Sequence, residues 1–496
     1  MNKVQLPILI LIIFLSAAVI IALLKKKKHV HSLVLTATGL ALVFSLVLLI
    51  FVLNDGPFYY NFGDWDSTIG IEFFIGEYSA IFTFALILIA SLILIYSLRD
   101  LEHEVSDKKI GFYYTLVMLL IFSMIGMIFT NDLFNMYVFM EILSLTSCGI
   151  ISIKGTKETT MATFKYLMLG AIGSISILLG IAMLYMVTGQ LNMTATSQTI
   201  STIWQEYPRN ILISLSFILT GLGLKAAIFP LHVWLPDAHS SAPSPSSALL
   251  SGLVLKIYAF AMIKILFRVI GIDIIKAITI NNYLAYFAVL SIIMGSVFAI
   301  GQKDIKRLLA YSSVSQIGYV FLGIGLATEA GVSASLYHII AHALMKTSLF
   351  LSAGAIIYQT GIRDVKGMDG IGYRMPITMA TFTIAALGMI GIPGINGFMS
   401  KWYLSLAAFD AGKPIFIVFI LVSSFLNAIY FLPIIISAYL KECEDCPNIM
   451  IPDLIPFSMK LPLFTLATLC IITGMFPNII MNVVKKAIPA LLAIAT

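Results

Sequence analysis

Charged residues are scarce in this chain of 496 residues, and their scarcity excludes a soluble globular protein. Asp, Glu, Lys and Arg make up 11% of the sequence, whereas 60% of the residues are hydrophobic and the mean hydropathy is +1.01. Apolar runs of about 20 residues, enough to span a bilayer, recur along the whole chain and leave no stretch for a soluble domain. The sequence therefore predicts an all-α polytopic membrane protein.

Cysteine is also sparse, with four residues that give no disulfide framework. Cys443 and Cys446 form a C-x-x-C pair in a predicted cytoplasmic loop, a spacing found in metal and redox sites. No second pair lies nearby, so ordinary loop residues are the favoured interpretation. The sequence also lacks a C-x-x-C-H motif, a haem-type histidine pairing and a nucleotide-binding loop. We therefore expect no metal, no cofactor and no catalytic residue in this chain, and any redox chemistry must lie in partner subunits.

Hydropathy predicts about 14 membrane-spanning runs. They lie near 4–24, 30–53, 73–98, 111–129, 133–153, 161–187, 211–229, 244–270, 282–301, 311–327, 333–358, 376–408, 415–440 and 461–484. If the first run crosses from outside to inside, most basic loop residues fall on the cytoplasmic side, as the positive-inside rule requires. The net charge of +6 then reports membrane topology and not a nucleic-acid partner.

The seventh run is interrupted soon after Lys225, because Pro230 and Pro236 cannot continue an α-helix. Broken backbone at membrane depth is tolerated only where it is buried in protein or lines a wet cavity. We therefore expect a polar cavity beside Lys225. His232, Asp237 and His239 follow in the same segment and are possible members of an ion pathway.

Glu141 lies in the fifth run, about 12 Å below the start of its helix at 1.5 Å per residue. It is the acidic residue that the sequence does not place in a loop or at a helix end, and a nearby lysine would keep it ionised. Lys165, near the entry of the sixth run, either snorkels to water or acts within the membrane. Both interpretations stay open.

Four lysines lie within their runs between apolar residues: Lys225, Lys256, Lys346 and Lys401. One buried carboxylate cannot neutralise all four by pairing, so a row of proton-exchanging lysines is favoured over structural ion pairs. Lys264 and Arg268 are expected to approach the external surface instead.

Two histidines extend this row. His338 and His342 are spaced i, i+4, and Lys346 follows four residues later, so all three lie on one helical face. Histidine titrates near neutrality and relays protons through both ring nitrogens. A metal site is disfavoured because no Glu follows the first histidine, as it does in H-E-x-x-H.

A second interruption lies between Gly388 and Lys401, where glycines and Pro393 fall in mid-run. Paired interruptions in two halves point to the site of a repeat-built transporter. Runs four to eight and nine to thirteen would form two five-helix units, the second inverted, so that Lys225 corresponds to Lys401. The predicted divisions are a three-helix segment at 1–110, the repeats at 111–270 and 271–440, and a cytoplasmic loop with the last helix at 441–496.

A set of motifs resembles the antiporter-like subunits of respiratory complex I, of Mrp sodium/proton antiporters and of group 4 membrane-bound hydrogenases. The motifs are TNDLF at 130–134, Glu141, GLK at 223–225, LPDAH at 235–239, APSP at 242–245, DIKRLLAYSS at 304–313, QIGY at 316–319 and GFMSK at 397–401. The likeness covers roughly residues 70 to 440. Because the chain stops soon after the fourteenth run, it is similar to mid-sized members such as the D-type Mrp subunit.

The resemblance implies a 14-helix subunit with inverted five-helix repeats and broken seventh and twelfth helices. It also implies a Glu141–Lys225 pair and a central hydrated axis that continues through Lys256, His338, His342 and Lys346 to Lys401. The implied function is proton translocation, with sodium/proton antiport open, by a non-catalytic subunit of an oxidoreductase complex in a prokaryotic plasma membrane. The expected partners are other membrane subunits, protons or sodium, and lipid. A redox-independent Mrp-type antiporter and a non-transporting membrane scaffold are the alternatives.

Overall fold

A computed structural model describes residues 3–65, 70–441 and 453–492 of the chain. Within these ranges the protein is built of helices joined by short connections, together with one two-stranded hairpin. The predicted all-α membrane class is therefore confirmed. Cys443 and Cys446 lie outside the described residues.

The N-terminal part consists of two long helices, a hairpin and a third long helix. Their bounds are α1 Leu6–Leu23, α2 Lys27–Asp55, β1 Phe58–Asn61, β2 Glu72–Ile75 and α3 Glu77–Glu104. The strands pair antiparallel, with Phe58 opposite Ile75. The glycines and aromatics around 54–70 predict short turns or a small hairpin, and the structure has a hairpin whose second strand extends beyond that range into the predicted run at 73–98.

The middle of the chain contains a first group of helices that ends in a long, partly π-helical segment. The bounds are α4 Asp107–Phe129, α5 Leu133–Ser152, α6 Lys157–Thr188, α7 Met193–Ile203, α8 Pro208–Lys225, α9 Leu235–Ser241, α10 Ser244–Leu249 and α11 Leu255–Ile263, with π-helical turns at Leu250–Val254 and Lys264–Ile270. Side-chain caps fix two of the starts: Asp132 accepts the Asn135 amide and Thr156 accepts the Thr159 amide.

The second group of helices begins after a short connecting helix. The bounds are α12 Ile272–Ala277, α13 Ile280–Ile300, α14 Ile305–Gly325, α15 Glu329–Thr360, α16 Ile371–Arg374, α17 Pro376–Ile390, α18 Asn396–Asp410 and α19 Ile415–Leu440. Helix α15 is buried along its central part and packs against α3, α10, α14, α17, α18 and the later helix Phe457–Met475. It is the centre of the bundle.

The C-terminal part differs from its prediction. The fourteenth run, predicted as one span over 461–484, consists of α20 Phe457–Met475 and a separate α21 Asn478–Leu492. The chain leaves the helix at Phe476, just before Pro477. Helix α21 buries one apolar stripe and leaves the other face open, so it is amphipathic.

The number of membrane crossings agrees in part with the sequence. Eleven of the described helices are long and apolar enough to cross a membrane. The runs near 211–229, 244–270 and 376–408 contain helices that fall outside those eleven. The count of 14 crossings, the inverted repeats and the division into 1–110, 111–270, 271–440 and 441–496 stay predictions.

Lys264 and Arg268 are buried within the chain at the hairpin end of the bundle, and their approach to the external membrane surface stays a prediction. Lys264 donates to backbone carbonyls at the end of α4, among them Ile128 at 3.1 Å and Thr130. The Arg268 guanidinium bonds Asn131, Tyr59 and the Ala490 carbonyl, and lies 3.6 Å from the centre of the Phe74 ring. Both cations are satisfied by structural contacts at the hairpin end of the bundle.

A candidate ion-translocation axis

The first helix break lies where the sequence predicts it. Helix α8 ends at Lys225, residues 226–234 are irregular, and α9 begins at Leu235. The indole of Trp234 donates to the Leu224 carbonyl at 3.0 Å, and the Phe229 amide donates to the Ser291 hydroxyl at 3.2 Å. These side-chain contacts satisfy backbone groups that the broken helix leaves free.

Lys225 forms an ion pair with Glu141 across α5 and α8. The distance from Nζ to Oε1 is 3.5 Å, and Nζ also donates to the Ser144 hydroxyl at 2.5 Å. Ser174 on α6 donates to the same carboxylate oxygen. The Lys225 side chain is 2% exposed, but that of Glu141 is 32% exposed, so the carboxylate lies at the edge of the chain and not in its interior.

A hydroxyl connection leads from Lys225 to Tyr258 on the helix that carries Lys256, although side chains two residues apart on a helix do not face each other. Ser144, which accepts from Lys225, lies 3.2 Å from the Tyr258 hydroxyl, and Tyr258 is two residues beyond Lys256 on α11. Lys256 is fully buried and donates to the Ser251 carbonyl in the π-helical turn. Irregular turns of this kind inside α-helices frequently occur at functional sites.

A chain of serines joins Lys256 to Lys346. The Ser251 hydroxyl lies 2.8 Å from that of Ser313, which donates to the Leu309 carbonyl at 3.0 Å. The Lys346 ammonium donates to the same carbonyl at 2.6 Å and to the Ser312 hydroxyl. Neither ammonium has a carboxylate partner in the described part of the chain, and both are held by backbone and hydroxyl oxygens.

The two histidines are stacked on the buried face of α15. The ring centroids of His338 and His342 are 5.5 Å apart, and their planes differ by 20°. Nδ1 of His338 is hydrogen-bonded to Ser400. Among the described residues, Nε2 of His338 and both nitrogens of His342 have no hydrogen-bond partner. The rings therefore carry buried polar atoms that the protein alone does not satisfy.

Lys401 lies at the second helix break. Helix α17 ends at Ile390 and α18 begins at Asn396. The Lys401 ammonium donates to the carbonyls of Met389 and Ile390 and to the Ser424 hydroxyl, each at 2.9 Å.

Glycine makes this arrangement possible. A Cβ on Gly397 would overlap the Gly388 carbonyl, so the two half-helices cross at a distance that only glycine allows. Gly391 has φ 96°, in the region that favours glycine.

An aromatic ring connects Lys401 to the histidines. The Tyr319 ring centroid is 5.3 Å from the Lys401 ammonium and 5.5 Å from the His338 ring. The structure therefore pairs Glu141 with Lys225 at the first break and links His338 through Tyr319 to Lys401 at the second, while a path through all seven main candidates stays a prediction.

The four secondary candidates divide into two groups. Lys165 is 45% exposed and pairs with Asp237 at 2.6 Å, and Asp237 also binds Arg307 at 3.1 Å, so these groups form a surface ion-pair cluster. His232 is stacked on Phe298 away from the lysines. His239 is fully buried, and its ring lies 5.0 Å from that of Phe350, whose other contact is the Lys346 ammonium at 5.8 Å. Of the four, His239 adjoins the axis.

The sequence analysis missed a buried group of charges near the ends of α3 and α14. Asp100 is 1% exposed and Lys306 is 2% exposed, although the sequence assigns both to helix ends or loops. The expectation that Glu141 is the one buried carboxylate is therefore wrong, because Asp100 is buried and the Glu141 side chain is 32% exposed. The i, i+4 spacing of Asp100 and Glu104 on an apolar helix was the available signal. No group of three or more potential metal ligands occurs among the described residues.

Comparison with known proteins identifies the family. Residues 130–427 match the family described as NADH:quinone oxidoreductase/Mrp antiporter, transmembrane, and the match covers more than half of the chain. The chain belongs to this family. The matched range contains every member of the axis from Glu141 to Lys401, and it confirms the resemblance that the motifs indicated.

Alignments with known proteins extend over nearly the whole chain. The N-type subunit of the NADH-quinone oxidoreductase of Desulforudis audaxviator is 36% identical over 444 residues, which are 87% of this chain and 88% of the relative. The D-type subunit of the Na(+)/H(+) antiporter of Alkalihalophilus pseudofirmus is 30% identical over 455 residues, 90% and 89% of the two chains. A chain in the structure of the membrane-bound sulfane sulfur reductase, an archaeal respiratory membrane complex, has a TM-score of 0.90 at 29% identity and covers 99% of this chain, with 98% of its own length matched.

Proposed function

We propose that the protein is an ion-translocating membrane subunit of a multisubunit complex, and that it moves protons along the axis from the Glu141–Lys225 pair to Lys401. The observation that carries the proposal is the continuity of the buried series. Lysine ammonium groups, imidazoles, hydroxyls and carbonyls follow one another across the bundle, mostly within hydrogen-bond distance. Ionisable groups in a membrane are expensive and mark ion pathways.

The geometry suggests how the first step is controlled. With Glu141 beside it, the Lys225 ammonium has a counter-ion in a desolvated site. If a neighbouring subunit moves and pulls Glu141 away, a buried ammonium is left with hydroxyl contacts alone, which is a costly state. The proton then leaves Lys225 by way of Ser144 and the Tyr258 hydroxyl, and water would have to carry it on to Lys256.

The unsatisfied imidazoles support a hydrated axis. Buried polar atoms in proteins are ordinarily bonded to protein or to ordered water. Among the described residues, His239 and His342 have no protein partner at either ring nitrogen. Water at these positions would complete the proton path between the lysines.

The partners of this chain are other membrane subunits. Its relatives bear the names of subunits of an NADH-quinone oxidoreductase and of an antiporter, and its structural neighbour belongs to a respiratory membrane complex. The half-exposed Glu141 lies on an outer face, where an adjacent subunit can contact it.

The test is proton movement by the purified complex in proteoliposomes, followed with a pH-sensitive dye. Lys225→Ala should abolish coupled translocation while the complex still assembles, because the first proton-exchanging group is gone. Lys276→Ala, which removes an exposed lysine on α12, is the matched control. Wild-type translocation in Lys225→Ala would refute the proposal.

Sodium/proton antiport is a second candidate, which the similarity to the D-type antiporter chain favours. In the same vesicles, antiport predicts proton movement when a sodium gradient is imposed without any redox substrate. A redox-driven complex would respond to its electron donor and not to sodium.

A further inference from the structure

A second buried row lies on α3, outside the axis described above. Tyr96, Asp100 and Glu104 are spaced at i, i+4 and i+8, so they follow one face of the helix towards its C-terminal end. Tyr96 and Asp100 are buried, and Glu104 reaches the surface with its side chain 12% exposed. The row therefore leads from the edge of the bundle inward.

The inner end of this row meets the helix that carries the histidines. On α15, Lys346, Phe350 and Gly354 follow in steps of four, and because each step turns by only about 40° they lie along one side of the helix. A Cβ on Gly354 would lie 2.9 Å from the Tyr96 hydroxyl oxygen and 2.6 Å from Ser244 Cβ. The absence of a side chain at 354 thus brings the Tyr96 hydroxyl against the face on which Lys346 lies.

Charged groups from three other elements surround the outer end. Lys154 pairs with Glu104, whose Oε1 accepts the Ser244 amide at 3.0 Å and the Ser244 hydroxyl at 2.9 Å. Lys306 donates to the Ala242 carbonyl at 2.6 Å and not to either carboxylate. Arg363 and His239 complete the charged and titratable groups that face Lys306.

Asp100 does not behave as a member of a purely structural network. It interacts with Glu104, Lys306 and Lys154 and, side chain to side chain, with the Tyr96 hydroxyl, yet within the described part of the chain no donor lies within 3.5 Å of its buried Oδ2 in hydrogen-bond geometry. In a structural ion-pair network the buried carboxylate oxygens are bonded, because an unpaired one costs free energy. A carboxyl that exchanges protons needs such an open oxygen.

We propose that Glu104, Asp100 and Tyr96 form the cytoplasmic entrance of the axis, with Asp100 as the group that accepts the incoming proton. This inference rests on the proposed function. A proton from the cytoplasmic water passes Glu104 and binds Oδ2 of Asp100, then leaves Asp100 for the His239 imidazole, whose ring nitrogens have no hydrogen-bond partner among the described residues. The carboxyl returns to its ionised state, and one proton has moved inward.

The deciding variant is Asp100→Asn, compared with Glu102→Gln on the same helix. Glu102 carries the same charge but pairs at the surface with Lys27 and Arg99. In the assembled complex we expect Asp100→Asn to slow proton translocation by about a hundredfold, the lower end of the range for loss of a proton-transferring group. Glu102→Gln should stay within about twofold, because surface ion pairs contribute little. Asp100→Glu should restore translocation with a shifted pH profile.

A spectroscopic readout separates proton exchange from structure. Infrared difference spectra of the wild-type complex between two pH values should contain a carboxyl C=O band that Asp100→Asn removes and Glu102→Gln retains. If Asp100→Asn does not assemble, Tyr96→Phe replaces it, since that hydroxyl interacts with the Asp100 carboxyl and its removal should still slow translocation.

Three results would overturn the inference. Wild-type translocation in assembled Asp100→Asn would place the entrance elsewhere, and Tyr96→Phe takes its place if Asp100→Asn does not assemble. If Lys225→Ala is inactive in the same experiment, the proposed function still stands. Wild-type rates in Asp100→Asn and Lys225→Ala together would refute both. An infrared band that survives Asp100→Asn would assign the proton to another carboxyl.

Discussion

The two helix breaks each hold a buried lysine, but by different means. Lys225 faces the Glu141 carboxylate at 3.5 Å, and that carboxylate is partly exposed at the edge of the chain. Lys401 has no carboxylate among its hydrogen-bond partners in the described residues and is held by two carbonyls at the end of α17 and by Ser424. The carboxyl end of a helix carries a partial negative charge, which favours a cation there.

The difference shows that one lysine has a removable counter-charge and the other a fixed one. A side-chain carboxylate on an outer face can move with a neighbouring subunit. Backbone carbonyls at the end of a packed helix cannot withdraw without unfolding that helix. Control of the axis therefore belongs to the first break, and the second break supplies a stable end point.

The largest effect is expected from Glu141→Gln, which removes the counter-charge of the first break alone. A buried ammonium without its partner costs about 3–5 kcal/mol, and discounting this for the partial exposure of Glu141 still predicts at least about a tenfold loss of coupled translocation. Proton uptake by proteoliposomes measures it. Glu158→Gln, an exposed carboxylate on α6, is the control. Translocation above half of the wild-type rate would show that the two breaks are controlled alike.

Lys401→Ala should cost stability as well as transport. It leaves two carbonyls and a hydroxyl without their donor, and unsatisfied buried acceptors cost about 1–3 kcal/mol. Thermal unfolding of the detergent-solubilised complex should shift to lower temperature, and translocation should stop at the second half. Unchanged transport would remove Lys401 from the path. An unchanged unfolding temperature would contradict the conclusion that the two carbonyls hold Lys401 in a fixed position.

Ser174→Ala tests how the movable carboxylate is held. Ser174 donates to Glu141, and a hydrogen bond to a charged group contributes about 1.5–3 kcal/mol in buried sites, so a several-fold reduction in translocation is expected. Ser174→Thr retains the hydroxyl and should restore most of the rate. Equal rates in the alanine and threonine variants would mean that this bond does not position Glu141.

Ser424→Ala is expected to have the smallest effect. Lys401 keeps both carbonyl partners in this variant, so the loss of one neutral hydrogen bond, about 0.5–1.5 kcal/mol, should change translocation by no more than a few-fold. The ratio of the two losses of translocation rate, in Ser174→Ala and in Ser424→Ala, measures how much more the first helix break controls translocation than the second. A larger loss in Ser424→Ala than in Ser174→Ala would reverse it.

The sequence predicted features that depend on local chemistry. Pro230 and the glycines between 388 and 397 break helices whatever surrounds them, so both interruptions were visible before the structure. The common face of His338, His342 and Lys346 follows from helical periodicity alone. Polar residues inside apolar runs stand out because their cost in a membrane is high.

Features that depend on how helices meet were not predictable. Asp100 and Lys306 lie near helix ends, which the sequence treats as solvent-exposed, but neighbouring helices cover those ends. Lys165 was ambiguous because its partner Asp237 is 72 residues away along the chain. The division of the last run escaped hydropathy because both halves are apolar and one turn at Phe476 separates them.

The Arg268 guanidinium connects three separate elements at the hairpin end of the molecule. One side chain fastens the β1–β2 ribbon, the loop at Asn131 and the terminal amphipathic helix through the Ala490 carbonyl. The ribbon, the loop and the helix are far apart in the chain, but all three contact the Arg268 side chain. A displacement of one of them is therefore coupled to the other two. Deleting the chain from residue 478 onward would remove one contact of Arg268 and so destabilise the β1–β2 ribbon as well. Helix α21 therefore supports a structure that lies more than 400 residues earlier in the sequence.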